Sequence, residues 1–157
     1  MLTHILEPKV CHKIAEDLSV LLADTYVLFL KTQNFHWNLK DPRFHSLHVF
    51  FEEQYKELLD QADEAAERIR MLGEPTPGTM KHFLEITQLD EAGHGLSGND
   101  MIKHLAIDHQ SISKWLSGKI KEAQDLGDEG TADLYIKHLR DHDKAAWMLQ
   151  SHLHGEI

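Results

Sequence analysis

The sequence predicts an all-α protein, a four-helix bundle with one long crossover, on three observations. Long stretches carry apolar residues at three- and four-residue steps, the period of a helix with one buried face. No stretch sustains the alternation with a period of two that marks a half-buried strand. Glycine and proline, the strongest breakers of regular structure, gather in a few places and divide the chain into helix-sized pieces.

The first helix is predicted from about Lys9 to His36, where Ile14, Leu18, Leu21, Leu22 and Phe29 keep the helical step, with Thr25 and Thr32 in rhythm. Asp41-Pro42 closes it, because proline disfavours helical geometry in the residue before it and has no N–H to donate. A second helix follows from about Phe44 to Leu72 on the stripe Leu47, Phe51, Tyr55, Leu58, Ala62, Ala65, Ile69, Leu72, and stops at Gly73 before the breakers Glu74-Pro75-Thr76-Pro77-Gly78. The stretch from Gly73 to Gly98 is too long for a hairpin and holds its own apolar piece, Met80, Phe83, Leu84 and Ile86. It reads as a crossover carrying a short extra helix. The third long helix is expected from about Asp100 to Leu126 on Ile102, Leu105, Ile112, Leu116, Ile120 and Ala123, capped by Ser97 or Asn99. After the turn Gly127-Asp128-Glu129-Gly130, the last helix carries Leu134, Ile136, Leu139, Ala146, Leu149 and Leu153 and ends near His154-Gly155. Two helices, a crossover and two more helices is the ferritin-like arrangement.

Length and composition fit one domain over residues 1–157: 41% of the residues are hydrophobic, enough for a proper core. With 16 basic against 26 acidic residues, the net charge of −10 argues against a phosphate-binding surface spread over the protein. Cys11 is the single cysteine and cannot form an internal disulfide, so an intracellular, cytoplasmic location is the expectation. The N-terminus lacks the regions of a secretion signal, and no apolar run approaches the ~20 residues that span a bilayer. The unusual number is 13 histidines, since imidazole is the commonest metal ligand.

On the second helix, at about 100° per residue, His48 at zero puts Glu52 near 40°, Asp63 near 60° and Glu67 near 100°. Four metal-competent side chains thus share one flank beside the apolar stripe. Taken singly, each reads as an ordinary solvated residue. The pairing argues otherwise: His48/Glu52 and Asp63/Glu67 both sit at i, i+4, where two side chains can meet one ion. Imidazole with carboxylate suits iron, zinc or manganese. Eleven residues separate Glu52 from Asp63, ~16 Å along the axis, too far for one compact site in one chain. A second copy of this helix, antiparallel about a two-fold axis near Leu58 and Leu59, would place one chain's His48/Glu52 opposite the other's Asp63/Glu67. An intrachain di-iron centre needs Glu-x-x-His on two helices, and the chain has only Glu91-Ala92-Gly93-His94, in a glycine-rich loop.

The run Phe35-His36-Trp37-Asn38, the segment Phe44 to Tyr55, Asp63 to Arg68 and Met71-Leu72-Gly73 resemble the Dps family of mini-ferritins, the DNA-binding proteins from starved cells. The likeness extends to Gly127–Leu134 and Trp147-Met148-Leu149. It implies that His36, His48 and Glu52 of one subunit and Asp63 and Glu67 of its two-fold mate bind iron, with Trp37 beside the oxidation site. It further implies a twelve-subunit cytoplasmic shell, active in stress, that stores iron as an oxide core. Position 52 departs from the pattern: the family most often has Asp there, and Glu52 is one methylene longer, so it stands as a ligand that could reach the second iron or swing aside. His45 shares the flank, but the motif does not require it, and a residue behind the ligands or in solvent is expected.

Glu53, Glu57, Asp60 and Glu64 form a second acidic row, either a plain solvated face or a cavity lining that holds Fe³⁺. Asp128 and Asp133 resemble the acidic residues around the family's three-fold pores, and as turn and helix-start residues they also have a local reason to be acidic. His138 and His142, at i, i+4, are expected to be solvated. The favoured reading is a ferroxidase, with hydrogen peroxide as the oxidant the family implies. The rival from another class is a structural nucleoid protein coating DNA, as some relatives do through Lys-rich extensions. Neither Met1–Pro8 nor Ser151–Ile157 contains Lys or Arg, so strong DNA binding at neutral pH is not expected. A metal-free scaffold would make the five ligand positions a coincidence.

Overall fold

The computed structural model describes residues 5–153, a chain of helices without a strand among the described residues. Helix α1 spans Pro8–Asn38, with proline in its first turn, where the missing N–H would have had no partner. Thr25 and Thr32 sit in the core, and their hydroxyls donate back to the carbonyls of Leu21 and Leu28 at 2.7 Å each, which satisfies them without a break in the helix. The turn after α1 is held by Arg43: its backbone N–H and Nε donate to Asp41 Oδ1 at 2.8 and 2.9 Å, and its Nη2 reaches Asn99 Oδ1 at 2.6 Å. That last bond ties the turn to the start of a later helix.

Helix α2, Phe44–Met71, and helix α4, Gly98–Asp125, end alike. At Gly73 and Gly127 the chain takes φ of 89° and 85°, left-handed geometry that glycine adopts without a Cβ penalty. The N–H of each glycine and of the residue after it then bond back into the last turn: Gly73 to Arg70 and Glu74 to Ile69, Gly127 to Gln124 and Asp128 to Ala123. Short helix α3, Met80–Ile86, lies in the crossover as expected. Ser97 caps α4 by accepting from Asp100 N, and α5, Glu129–Gln150, continues into a 3₁₀ turn at Ser151–Leu153. The expected ending near His154-Gly155 lies outside the described residues, as do residues 1–4 and 156–157 of the stretches read for basic charge. Among the described residues no helix is long and apolar enough to cross a membrane.

Helices α2 and α5 run antiparallel, because Arg68 meets Asp128 and Thr131, Glu64 meets His138, and Phe50 stacks on His152. Helices α4 and α5 are antiparallel too, with His109 against His142 and Trp115 against Tyr135. The core between them holds Leu18, Leu21, Leu28, Phe35, Leu47, Phe51, Ile69, Ile102 and Leu116, all fully buried.

On α5 the structure corrects the sequence reading. Leu134, Ile136 and Leu139 are only half-buried, while Thr131, Tyr135, His138 and His142 are completely enclosed. The buried face is a regular three/four ladder whose middle members are polar, so a search for apolar residues settles one position off it. His138 and His142 are therefore core residues and not solvated ones.

Asp128, expected at a pore mouth, is also buried, at 3% exposure. Its Oδ1 accepts from Thr131 N at 3.0 Å as the cap of α5 and from Arg68 Nη2 at 2.7 Å, and its Oδ2 accepts from the Thr131 hydroxyl. Within the chain this carboxylate joins α2 to α5. Asp133 stays exposed. Asp128→Ala is expected to cost about 2–4 kcal/mol in urea unfolding, since it removes a cap and strands a largely buried guanidinium, whereas Asp133→Ala should stay within about 0.5 kcal/mol. Equal losses at the two positions would contradict this assignment.

Candidate metal centre

His36 lies in the last turn of α1 and His48 in the second turn of α2, and the short turn between these helices folds one imidazole onto the other. Their rings stack with centroids 3.7 Å apart and planes within 10°. The hydrogen bonds are reciprocal: His36 Nδ1 donates to the His48 carbonyl at 2.6 Å, and His48 Nδ1 donates to the His36 carbonyl at 2.8 Å. A neutral imidazole with its proton held on Nδ1 carries its lone pair on Nε2, where a metal can take it. Each carbonyl thereby sets the tautomer and the orientation of the facing ring. Aromatic neighbours complete the support, with Phe44 stacked on His48 at 4.9 Å and Tyr55 edge-on to His36 at 5.4 Å.

Glu52 follows His48 by one turn, half-buried, with Lys56 Nζ 3.6 Å from its carboxylate. Asp63 and Glu67 are exposed, one turn apart. A carboxyl–carboxyl hydrogen bond from Asp63, and after it the repulsion between the two groups, raises the pKa of Glu67 above the usual glutamate value. Two acids one helical turn apart can face one cation together.

The single chain does not bring all five residues together. Helix α2 is continuous over its 28 residues, so Glu52 and Asp63 remain ~16 Å apart along its axis. Among the described residues no three or more His, Cys, Asp or Glu side chains converge on one point. His45 is exposed, and Glu91 and His94 are exposed in the loop before α4. Trp37 is 61% exposed and lies outside the stacked ring set. Of the second acidic row, Glu53, Glu57 and Asp60 are exposed, while Glu64 binds Lys137 at 3.1 Å and His138 at 3.0 Å. Leu58 points into the core, but Leu59 is 39% exposed beside an apolar groove of about 380 Å³ lined by Ala62, Ala66, Met80 and Phe83, with Asp63 on its wall. Of the five candidate ligands, Asp63 thus borders apolar surface midway along α2.

The sequence reading missed a second polar group, inside the bundle: His109 with His142, and the Lys31–Asp108 ion pair at 2.7 Å. The signal for His142 was its place on one ladder with Tyr135, Ala145 and Leu149.

A ferritin-like domain model matches residues 15–155. DNA protection during starvation protein 2 of Bacillus anthracis is 38% identical over 141 residues, which is 90% of this chain and 97% of that one. The chain belongs to the Dps family of ferritin-like proteins. Solved Dps structures agree with the Dps fold seen here. Dps from Staphylococcus aureus, 38% identical, superposes with a TM-score of 0.88 over 90% of this chain and 95% of its own. Dps from Vibrio cholerae O1, 30% identical and described as a member of a superfamily of ferritin-like diiron-carboxylate proteins, gives 0.90 over 94% and 93%. In this Dps chain the two imidazoles and the two crowded acids occupy separate thirds of one helical hairpin.

Proposed function

We propose that this Dps-family protein stores and detoxifies iron by oxidising Fe²⁺ with hydrogen peroxide at a site shared by two subunits. One subunit supplies His36, His48 and Glu52, its two-fold mate supplies Asp63 and Glu67, and Trp37 stands beside the oxidation site. The observation that carries this reading is the reciprocal pair of Nδ1 bonds, which presents two Nε2 lone pairs that no group among the described residues uses. Leu59 and the adjacent groove supply apolar surface for a second α2 about the two-fold axis.

Two imidazoles and three carboxylates bind Fe²⁺ and favour Fe³⁺ more, because the anionic oxygens stabilise the higher charge. The reaction balances as two Fe²⁺, one H₂O₂ and two protons giving two Fe³⁺ and two H₂O, each iron losing one electron. Glu52, longer than aspartate and lightly held by Lys56, has the reach to follow the change of charge or release the product ion inward. The exposed acids Glu53, Glu57 and Asp60 then offer hard oxygen ligands on which Fe³⁺ mineralises. DNA is protected because Fe²⁺ and peroxide are consumed together.

Such a site requires assembly, and mineral needs a closed shell. The purified protein is expected to sediment as a large closed oligomer of twelve subunits. A monomer alone at micromolar concentration would overturn both the shell and the shared site.

A further inference from the structure

His109 on α4 and His142 on α5 face each other in the bundle interior, 2% and 0% exposed. Their Nδ1 atoms are 2.8 Å apart, so one ring donates its N–H and the other must offer a lone pair. Both Nε2 atoms are buried without a partner, as are Ser113 Oγ one turn along α4 and the His138 Nδ1 one turn along α5. Because the donor ring has its proton on Nδ1, its Nε2 carries the free lone pair. A proton added there creates a buried cation whose new N–H meets no acceptor. A second proton removes the lone pair that holds the two rings together.

The charged groups around the pair are engaged elsewhere. From α2, Glu64 binds Lys137 and His138; on α5, Asp141 binds Lys137. From α1, Lys31 pairs with Asp108 of α4, and Asp24 accepts from Thr87 and Gln88. None of them bonds to His109 or His142, so among the described residues no carboxylate compensates a charge on either ring. Burial accordingly depresses the pKa of His109 to about 3 and that of His142 well below the ordinary value, His142 also feeling His109 and His138.

We propose that the His109–His142 pair is an acid-responsive latch: neutral, it closes α4 and α5 around the core, and protonation opens the bundle. The sign follows from the unfolded chain, where histidine titrates near pH 6.5 and takes up protons that the folded pair refuses. Stability is full above that pH and falls as pH drops towards the folded values. Asp24 and Asp108, whose burial raises their pKa, act in the opposite sense. The carboxylates held below their usual range, Asp41 and Glu64, contribute to acid loss only nearer pH 4. The interval from about pH 6.5 to 4.5 therefore belongs to buried histidine.

At pH 5 each excluded proton favours unfolding about 30-fold, and the pair about 1,000-fold. Urea unfolding of the full chain at pH 7.5 and pH 5.0, at one protein concentration, tests this with wild type and His109→Leu/His142→Leu. The substitution removes both polar partners for apolar groups of similar size, a change close to neutral in a core. Between the two pH values the wild-type unfolding constant should rise about 1,000-fold more than that of the variant. Parallel pH dependence of the two proteins would overturn the latch. Should the double variant not fold, hydrogen–deuterium exchange at the Cε1 of His109 and His142 in the wild type, read by mass spectrometry across pH, decides the matter. Both rings are expected to show no titration until the fold is lost, and a transition near pH 6.5 in the folded protein would overturn it.

Discussion

His36→Ala or Asp63→Ala is expected to slow peroxide-dependent Fe²⁺ oxidation by at least about 10-fold, because under the proposed function each removes a direct iron ligand, and even groups that support such ligands are worth 10- to 100-fold in metal sites. His36 stacks on His48, which lies about 22 Å along α2 from Asp63, so equal damage from both substitutions already points to a shared site. Co-assembly makes the test specific. When chains carrying His36→Ala/His48→Ala are mixed with chains carrying Asp63→Ala/Glu67→Ala, random pairing makes about half the dimers mixed. Each mixed dimer has one site with every ligand intact and one lacking four, so about a quarter of the wild-type rate should return. Rates at the wild-type level in the single variants would remove the ligand assignment, and full loss without recovery on mixing would remove the partner's share in it.

How far the sequence reached is clearest on α2. Its stripe from Leu47 to Leu72, its start at Phe44 and its stop before Gly73 were legible because apolar side chains at helical spacing and a left-handed glycine are local properties. The flank of His48, Glu52, Asp63 and Glu67 was legible for the same reason, since it needs only 3.6 residues per turn. The stacking of His36 on His48 was not, because it depends on how the Asp41–Arg43 turn sets one helix against the next. Failure on α5 has a further cause. Thr131, Tyr135, His138 and His142 are polar by type, and neighbouring helices supply what encloses them from far away in sequence: Arg68 for Thr131, the Trp115 ring for Tyr135, Glu64 for His138 and His109 for His142. At Asp128 the helix-start role was legible, since it is local, but its Arg68 partner is sixty residues away and was not.

Histidine thus stands in two settings in one bundle, separated by what its Nδ1 meets. At His36 and His48 the partner is a backbone carbonyl, which fixes the neutral tautomer and leaves Nε2 open at the edge of the hairpin. At His109 the partner is another imidazole, and the spare nitrogens are sealed inside. Only the first arrangement can offer an ion both a ligand and a route in.

No retardation of linear duplex DNA is expected at pH 7.5 in about 0.15 M salt. The chain carries a net charge of −10, and many of its cations are already spent on neighbouring acids, among them Lys13 on Asp17, Lys31 on Asp108, Arg68 on Asp128, Lys119 on Glu122, Lys121 on Asp125 and Lys137 on Glu64. DNA affinity scales with the number of phosphates neutralised, with a salt slope of about −0.9 per contact, and a Debye length of about 8 Å screens scattered charges from one another's phosphates. DNA should nonetheless be shielded from Fe²⁺ plus peroxide, since consuming the reactants requires no contact with the duplex. Replacing His36, His48, Asp63 and Glu67 together should then abolish the shielding while the shell still sediments normally. Tight complexes with DNA under these conditions, or shielding that survives the fourfold replacement, would assign protection to physical coating instead of iron oxidation.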